Sequence, residues 1–363
     1  MARKLSSDLT LGAIVVALLG LGLVMVWSAS SALAQEHHAS AYYFLIKQGL
    51  WTTLGLTAMV AGLRMDYRTL RRPALVYGAL VVTSALLILV LFLRPVNDVH
   101  RWIRLGGLSF QPAELAKFAV ILFLAYHLER RSERVNEFLP SLFPALLLLG
   151  WFAFLVFIQP DLGTAAALVI TSVVMLFLAG VRLRYFAALA ALGLPVAFQA
   201  VMAVAYRRDR IEAFLNPWSD PRGTGYQIIQ SLIAVGTGGV TGLGLMDGRQ
   251  KLFYLPYPYS DFIYAVIGEE LGLVGAVAVV GAFVLLLWRG LRAAWNAPDA
   301  FGMFLAAGLT LAIVLQAFLN MSVVLGLVPT KGIPLPFISA GGTSLVLTLA
   351  SVGLILNVSQ HAD

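Results

Sequence analysis

A carboxylate stands where a long apolar segment begins. Asp261 follows residues 256–260 (Pro-Tyr-Pro-Tyr-Ser) and precedes an apolar run over 262–288. This position is typical of a helix N-cap, a role that Asp261 would share with Ser260. At the mouth of a cleft, partial desolvation would instead raise the pKa of the carboxylate towards that of a useful general base. The residues alone leave both roles open.

Two further carboxylates, Glu269 and Glu270, lie within the same apolar run. At 1.5 Å per residue, they would be roughly 12 Å deeper along a helix than Asp261. Adjacent buried carboxylates need partners, so this pair predicts an interior cavity or an arginine beside it.

Glu114 and Lys117 form a second charged pair inside an apolar run. Residues three apart share a helix face, so the two charges can pair. Charges within a membrane are expensive and usually functional, which leaves a structural ion pair and a ligand site as alternatives. Lys47 lies near enough to the end of its own run for its ammonium group to reach the membrane surface.

The polar stretches between the runs contain cations suited to a phosphate, namely His100, Arg101, Arg104 and Lys331. Arginine can bind a phosphate through two parallel hydrogen bonds. The sequence has no cysteine and no HExxH or EF-hand spacing, so we predict no dedicated metal site.

The elements that must position these residues follow from composition. Of 363 residues, 60% are apolar and 12% are charged, against roughly 25% charged residues in a soluble domain, so lipid must be the main solvent. Backbone groups in hydrocarbon must be satisfied within each segment, and the long apolar runs predict helices. Runs near the roughly 20 residues needed to cross a bilayer lie at 9–29, 44–62, 73–93, 113–128, 139–158, 163–181, 185–205, 262–288, 300–325 and 337–357. The sequence therefore predicts an all-α polytopic membrane protein with about ten transmembrane helices, forming one domain over 1–363 with a long loop at 206–261.

The distribution of basic residues predicts the orientation of these helices. Both termini are expected in the cytoplasm, because most basic residues near the ends of the runs then lie inside. These residues are Arg3, Lys4, Arg64, Arg68, Arg71, Arg72, Arg130, Arg131, Arg134, Arg182, Arg184, Arg289 and Arg292. The polar stretches 97–111, 159–161, 216–230 and 329–344 then face outwards, where they would form either a binding cleft or ordinary hydrated loops.

Six stretches of sequence carry a resemblance to a known family. They are MVWSASS at 25–31, HRWIRLGGLSFQPAELAK at 100–117, QPDLGTA at 159–165, GTGYQIIQS at 223–231, SDFIYAVIGEELG at 260–272 and PLPFISAGGTS at 334–344. They resemble the SEDS family (shape, elongation, division and sporulation) of polytopic peptidoglycan polymerases nearly end to end. GRQKLFYLP at 248–256 and PTKGIPLPFIS at 329–339 look more like the division branch, FtsW, than the elongation branch, RodA.

The resemblance implies a glycosyltransferase that polymerises lipid II, an undecaprenyl-pyrophosphate-linked disaccharide peptide, through β-1,4 bonds outside the membrane. It implies that Asp261 is the base that activates the acceptor 4-hydroxyl. Arg101 and Lys117 are candidates for contact with the pyrophosphate, with Glu114 orienting Lys117. Further candidates for binding the pyrophosphate or the sugar are Gln159, Asp161, Lys331 and Ser339.

The resemblance also implies partners and a location. The partners would be the growing glycan, a class B penicillin-binding protein that acts as transpeptidase, and other membrane proteins of division or elongation, with no nucleic acid. The location would be the cytoplasmic (inner) membrane, with the active face outside. The sequence shows no required cofactor, and dependence on a divalent cation, Mg²⁺ or Mn²⁺, is left open.

Other functions fit some of these residues. Within the family, the elongation role is an alternative to the division role. A lipid II flippase or transporter would also need charges within the membrane, such as Glu269 and Glu270, but transporters often carry inverted repeats and none is clear here. A scaffold for the transpeptidase would not explain the intramembrane charges. Neutralising Glu269 and Glu270 should abolish transport, whereas a polymerase should depend first on Asp261.

Overall fold

The structure is a computed structural model that describes residues 7–95, 99–105 and 108–361. Predictions that involve Arg3, Lys4 and Asn97 lie outside these residues. The described chain forms α1 Leu9–His38, α2 Tyr43–Arg64, α3 Pro73–Leu91, α4 Pro112–Arg130, α5 Phe143–Ile158, α6 Leu162–Leu178, α7 Leu183–Met202, α8 Ala205–Leu215, α9 Tyr226–Thr237, α10 Ile263–Trp295, α11 Ala300–Val324 and α12 Thr343–Ser359. Strands β1 Ile103–Leu105 and β2 Leu108–Phe110 pair antiparallel, with Ile103 opposite Phe110.

Each of the ten predicted apolar runs coincides with a helix, and the all-α fold is confirmed. Six of the described helices are long and apolar enough to cross a membrane, judged by length and composition: α1, α3, α5 with its preceding turn, α7, α10 and α11. α6 and α12 are apolar but shorter. α2 and α4 carry charged side chains such as Lys47 and Lys117. The count of ten transmembrane helices therefore stays a prediction.

Aspartates and prolines define where several helices begin. The side chains of Asp8, Asp161 and Asp299 accept hydrogen bonds from backbone N–H groups in the first turns of α1, α6 and α11. Such caps satisfy N–H groups that have no partner within the helix. Proline occupies the first turn of α3, α4 and α5, where its missing N–H is no loss.

Small residues allow the central helices to pack closely. α2 packs along α12, and a Cβ added to Gly353 on α12 would lie 2.2 Å from the carbonyl oxygen of Met59 on α2. Close backbone approach through small residues is a common way for helices to associate in lipid. α11 packs against α4, α6, α10 and α12 and is largely buried. α11 is therefore the helix from which side chains can reach most of the bundle.

The segment between α9 and α10 descends along α10 and returns. α9 packs on α10, and beyond it the N–H groups of Leu243 and Gly244 donate to the carbonyl oxygens of Glu269 and Glu270. α10 is interrupted at Gly272, whose φ of 66° and ψ of −163° are far from helical. Glycine accepts this left-handed conformation at little cost. The chain thus enters the bundle beside α10 before it returns to the surface at Asp261.

α7 differs from the other long helices. Its twenty residues are all described, none is buried, and it packs on α8. An apolar helix with this exposure is unfavourable in water and is suited to contact with lipid.

Candidate active site

A cavity of about 280 Å³ lies at the end of the bundle where α10 begins. Residues from segments distant in the chain line it: Val99, Arg101, Pro160, Asp161, Leu162, Gly163, Tyr206, Arg210, Gln227, Tyr257, Asp261, Phe262, Thr330, Lys331 and Gly332. Its described charged side chains are Arg101, Asp161, Arg210, Asp261 and Lys331. Residues from all four predicted polar stretches therefore meet at one cavity, and α8 adds a further segment.

Asp261 faces this cavity and does not cap α10. The N-cap position belongs to Phe262, and no side chain among the described residues caps the helix. Among the described residues, the carboxylate receives one hydrogen bond, from Ser260 Oγ to Oδ1 at 3.3 Å. Burial raises the pKa of Asp261 to about 6, against the lowering effects of the Ser260 hydrogen bond and the positive charge of Arg210. Such a carboxylate is largely ionised at neutral pH and is a stronger base than an ordinary aspartate.

The backbone of Asp261 is held more firmly than its side chain. Three consecutive carbonyl oxygens, those of residues 259–261, accept hydrogen bonds from Ala340 N (2.8 Å), Ser339 Oγ (2.5 Å) and Asn320 Nδ2 (2.8 Å), respectively. Ser339, a candidate for substrate binding from sequence, is buried and bonds the backbone of Ser260. The structure therefore fixes the backbone from which the carboxylate extends and leaves the carboxylate oxygens available to a ligand.

Arg101 and Asp161 line one wall of the cavity, and Gln159, a candidate from sequence, lies behind it and is not among the described lining residues. Arg101 Nε donates to the carbonyl oxygen of Gln159 at 2.8 Å, and its Nη2 donates to that of Pro160. Gln159 is buried and donates to the carbonyl oxygen of Leu87. Asp161 lines the cavity, but its carboxylate also caps α6 by accepting from Thr164 N and Oγ1. Arg101 thus presents a partly anchored guanidinium, and Asp161 has a structural role in addition to any contact with a ligand.

Lys331 and Arg210 form a cationic wall of the cavity. Burial lowers the pKa of Lys331 to about 8, and the charges of Arg210 and Arg207 add to the effect. Arg210 donates from Nη1 to the carbonyl oxygen of Thr330 at 2.7 Å and stacks on the ring of Tyr206. Burial also lowers the pKa of Arg210. The sequence analysis did not single out Arg210. Its position four residues after Tyr206 in the long loop could have indicated that the two side chains stack.

Glu114 and Lys117 lie elsewhere. Lys117 Nζ is 2.9 Å from Glu114 Oε2 and 2.5 Å from Gln316 Oε1. All three residues line a separate small cavity of about 30 Å³ between α4, α11 and α12. The predicted ion pair is therefore present. The structure does not place Lys117 at the cavity of Asp261, where it had been predicted to contact pyrophosphate.

Glu269 and Glu270 are buried and satisfied. Glu269 Oε1 accepts from the backbone N–H groups of Arg249 and Gln250, at 2.8 and 3.1 Å. Glu270 pairs with buried Lys251 at 2.5 Å and accepts from Ser28. An interior cavity or an arginine was predicted beside this pair; backbone N–H groups bond Glu269 instead, and the cation beside Glu270 is Lys251, which the sequence did not single out.

His100 and Arg104 are not among the described residues that line the cavity. His100 Nδ1 lies 2.8 Å from the carbonyl oxygen of Leu93, and Arg104 is exposed in the β-hairpin. Of the four predicted cations, the structure brings Arg101 and Lys331 to Asp261.

The fold and the cavity together define a class: a polytopic helical membrane protein with two acids, Asp161 and Asp261, and several cations around a cavity at one end of its bundle. The chain belongs to the cell cycle protein family of FtsW, RodA and SpoVE, whose family model matches residues 9–363. It is 45% identical to a probable peptidoglycan glycosyltransferase FtsW of Geobacter sulfurreducens, over 98% of this chain and 95% of the relative. It is 42% identical to stage V sporulation protein E of Bacillus subtilis, over 99% of both chains.

Solved structures show the same fold. One, described as "Structural coordination of polymerization and crosslinking by a peptidoglycan synthase complex", matches with a TM-score of 0.80 and 32% identity over 98% of both chains. The rod shape determining protein RodA of Thermus thermophilus matches with a TM-score of 0.72 and 29% identity, over 98% of this chain and 97% of that one. The chain is thus a multi-pass membrane protein of this family.

Proposed function

We propose that this chain is a peptidoglycan glycosyltransferase that polymerises lipid II into β-1,4-linked glycan at the outer face of the cytoplasmic membrane. One observation carries the proposal: Asp261, with a pKa raised to about 6, faces three cations across a cavity at one end of the bundle. Such an arrangement suits a proton acceptor beside a phosphate-bearing leaving group. Relatives named as peptidoglycan glycosyltransferases support it.

The roles of the charged residues follow from the chemistry of glycosyl transfer. Asp261 takes the proton of the acceptor 4-hydroxyl as its oxygen bonds to the anomeric carbon of the donor. The bond from that carbon to the pyrophosphate oxygen breaks, and the undecaprenyl pyrophosphate leaves with the electron pair. Arg101, Arg210 and Lys331 stabilise the negative charge that develops on the leaving group.

The position of the cavity agrees with a lipid-anchored substrate. Asp261 comes two residues before the first residue of α10, so its carboxylate lies near the plane of the lipid headgroups if α10 spans the bilayer. A lipid-linked sugar would carry its reacting carbon at that level. The distribution of basic residues supports an extracytoplasmic position for this end of the bundle.

A transpeptidase is the proposed partner, in the form of a class B penicillin-binding protein. The similar solved structure is described as a complex that coordinates polymerization with crosslinking. We favour septal synthesis in division, since relatives named FtsW reach 45% identity, whereas the RodA structure is 29% identical. Elongation is the alternative.

A divalent cation would have few protein ligands here. Magnesium is usually bound through one or two carboxylates together with substrate phosphates, and Asp161 and Asp261 are the described carboxylates in the lining. Asp161 already accepts hydrogen bonds from Thr164 and from Gln111 Nε2. Dependence on Mg²⁺ or Mn²⁺ stays a prediction, and no step above requires it.

The test is polymerisation of purified lipid II by the chain together with its cognate transpeptidase in detergent. Wild type should give glycan ladders and Asp261→Ala should give none, at equal folding and equal binding of the partner. Glu212→Gln is the matched control, because this exposed carboxylate on α8 pairs with Arg208. If wild type gives no polymer and instead moves lipid II across vesicle membranes, the protein is a flippase and the proposal is wrong.

A further inference from the structure

One side chain of α11 connects the segment that carries Asp261 with the segment that carries Lys331. Asn320 is 1% exposed, and its single Nδ2 donates to the carbonyl oxygens of Asp261 at 2.8 Å and Ile333 at 2.6 Å. Both partners are acceptors, so the nitrogen must occupy this position. A group with two N–H bonds on one atom can satisfy both, whereas a hydroxyl offers only one donor.

The two carbonyl groups belong to the segments that carry the proposed base and a proposed phosphate-binding cation. Ile333 lies two residues after Lys331 in the segment that lines the cavity. Between them is Gly332, where an added Cβ would lie 2.9 Å from Asp261 Oδ2. The bonds of Asn320 therefore limit how far the backbone that carries the Asp261 side chain can move relative to the Lys331 segment.

Gln316 repeats the arrangement one helical turn earlier on α11. Its Nε2 donates to the carbonyl oxygen of Pro334 at 2.9 Å, next to the residue that Asn320 holds. Its Oε1 accepts from Lys117 Nζ, which is in turn paired with Glu114. The charged pair on α4 thus fixes the orientation of the Gln316 amide, and the amide holds the Lys331 segment.

We infer that Gln316 and Asn320 form an amide clamp that positions Asp261 against Lys331, and that Glu114 and Lys117 act through this clamp and not on the substrate. Both amides are positioning residues, because neither is among the described residues that line the cavity. The inference rests on the proposed function for its catalytic consequence, but the geometry that it describes is measurable without activity.

The structure offers a matched control for the clamp. Asn357 on α12 is also fully buried and also joins two segments, accepting from Tyr67 N at 3.1 Å and donating to the carbonyl oxygen of Leu63 at 2.7 Å. Its contacts lie at the other end of the bundle, with the N-terminal cap of α11. Asn320→Leu and Asn357→Leu remove the same chemical group from comparable surroundings, so a general effect on folding should appear in both.

The first measurement is steady-state polymerisation of lipid II by the complex with the transpeptidase. Asn320→Leu should lower kcat about 10- to 100-fold with little change in KM, since a displacement of about 1 Å at a reacting group can reduce rates by that factor. Asn357→Leu should keep the wild-type kcat per folded molecule. Equal effects of the two variants on kcat would overturn the inference.

The second measurement does not depend on activity. The chain has no cysteine, so spin labels can be placed at Tyr257→Cys and Leu327→Cys, whose native side chains are 52% and 64% exposed. Pulsed electron paramagnetic resonance should give a narrow distance distribution in wild type and in Asn357→Leu, and a broader one in Asn320→Leu. An unchanged distribution in Asn320→Leu would refute the clamp whatever the activity. A broadened distribution without polymer from wild type would refute the proposed function and leave the clamp standing.

Discussion

Two acidic sites, Asp261 and the adjacent pair Glu269 and Glu270, lie within ten residues of each other in the sequence but have opposite surroundings in the structure. Asp261 receives one hydrogen bond on its carboxylate from the described residues, at 3.3 Å. Glu270 is fully buried against Lys251 and Ser28 and accepts the N–H of Met246. The first carboxylate faces a cavity with three cations, while the second holds a returning loop against α10.

The comparison separates charge that is available for chemistry from charge that is used in folding. A buried carboxylate with few hydrogen bonds has a raised pKa and can exchange a proton, as Asp261 can. A buried carboxylate whose oxygens are all bonded stabilises the backbone that donates to it, because unpaired N–H groups within a membrane are costly. The sequence indicates that both carboxylates are buried, but burial alone does not distinguish a reactive carboxylate from a structural one.

Removing the reactive charge should give the largest effect. Asp261→Asn keeps the size of the side chain and loses the proton acceptor, so kcat for polymerisation of lipid II should fall by about 10²- to 10⁴-fold. The thermal midpoint in detergent should stay near that of wild type, because the carboxylate makes little contact with the protein. Glycan ladders of wild-type intensity from the variant would mean that Asp261 is not the base.

Removing the structural charge should give the opposite pattern. Glu270→Gln leaves Lys251 buried without a counter-charge and should reduce the free energy of unfolding by about 3–5 kcal/mol. Folded molecules should keep near-normal turnover, since Glu270 is not among the described residues of the cavity lining. Thermal unfolding and turnover per folded molecule are the two measurements.

The double variant Lys251→Met with Glu270→Gln sharpens this test. Removing both charges leaves no unpaired buried ion, so the double variant should unfold at a higher temperature than Glu270→Gln alone. Strictly additive losses would show that the two side chains do not interact energetically.

The sequence could predict much of this fold and only part of the comparison. Hydropathy was sufficient to predict the ten helices that coincide with apolar runs. A helix that contacts lipid must be apolar on the face that it exposes, so its sequence forms a long apolar run. α8 and α9 were not predicted, since their residues lie in a mixed-polarity loop that carries neither a long apolar run nor a clear end signal. Arg101 and Lys331, which line the cavity, could be singled out because each lies in a polar stretch between apolar runs, and Asp261 because it directly precedes a long apolar run.

The remaining site residues depend on contacts across chain-distant segments. The sequence predicted that Lys117 contacts the pyrophosphate, because it does not show how far along α4 the cavity of Asp261 extends. In the structure Lys117 lines a different cavity. Arg210 and Lys251 were overlooked as two basic residues among several in the long loop. Only the packing of α8 over Thr330, and of the returning loop over Ser28, distinguishes them.

The cationic wall gives the next prediction in order of size. Arg210→Ala should raise KM for lipid II about 10- to 100-fold, the factor that corresponds to losing a charged hydrogen bond of roughly 1.5–3 kcal/mol. Arg208→Ala, which removes an exposed arginine from the same helix, is the control and should leave KM unchanged. An equal rise in both variants would indicate a general electrostatic effect in place of direct contact.

The pH dependence of kcat/KM tests Asp261 and Lys331 together. Activity should rise as pH increases through about 6, where Asp261 loses its proton, and fall above about 8, where Lys331 loses its own. Lys331→Arg should remove the fall at high pH, because a guanidinium stays charged there. A profile that is flat between pH 5 and pH 9 would contradict the assignment of both groups.

The smallest predicted effect concerns the space beside the base. A Cβ at Gly332 would lie 2.9 Å from Asp261 Oδ2, so Gly332→Ala must displace the carboxylate by a few tenths of an ångström. Since the backbone of residues 259–261 is held by three hydrogen bonds, the side chain has to rotate, and kcat should fall about threefold to tenfold. Gly341→Ala is the control, because its added Cβ has no neighbour closer than 3.8 Å. If Gly332→Ala polymerises at the wild-type rate, the direction of the Asp261 carboxylate matters less than its charge. The difference between Asp261 and the pair Glu269 and Glu270 then rests on their hydrogen bonding alone.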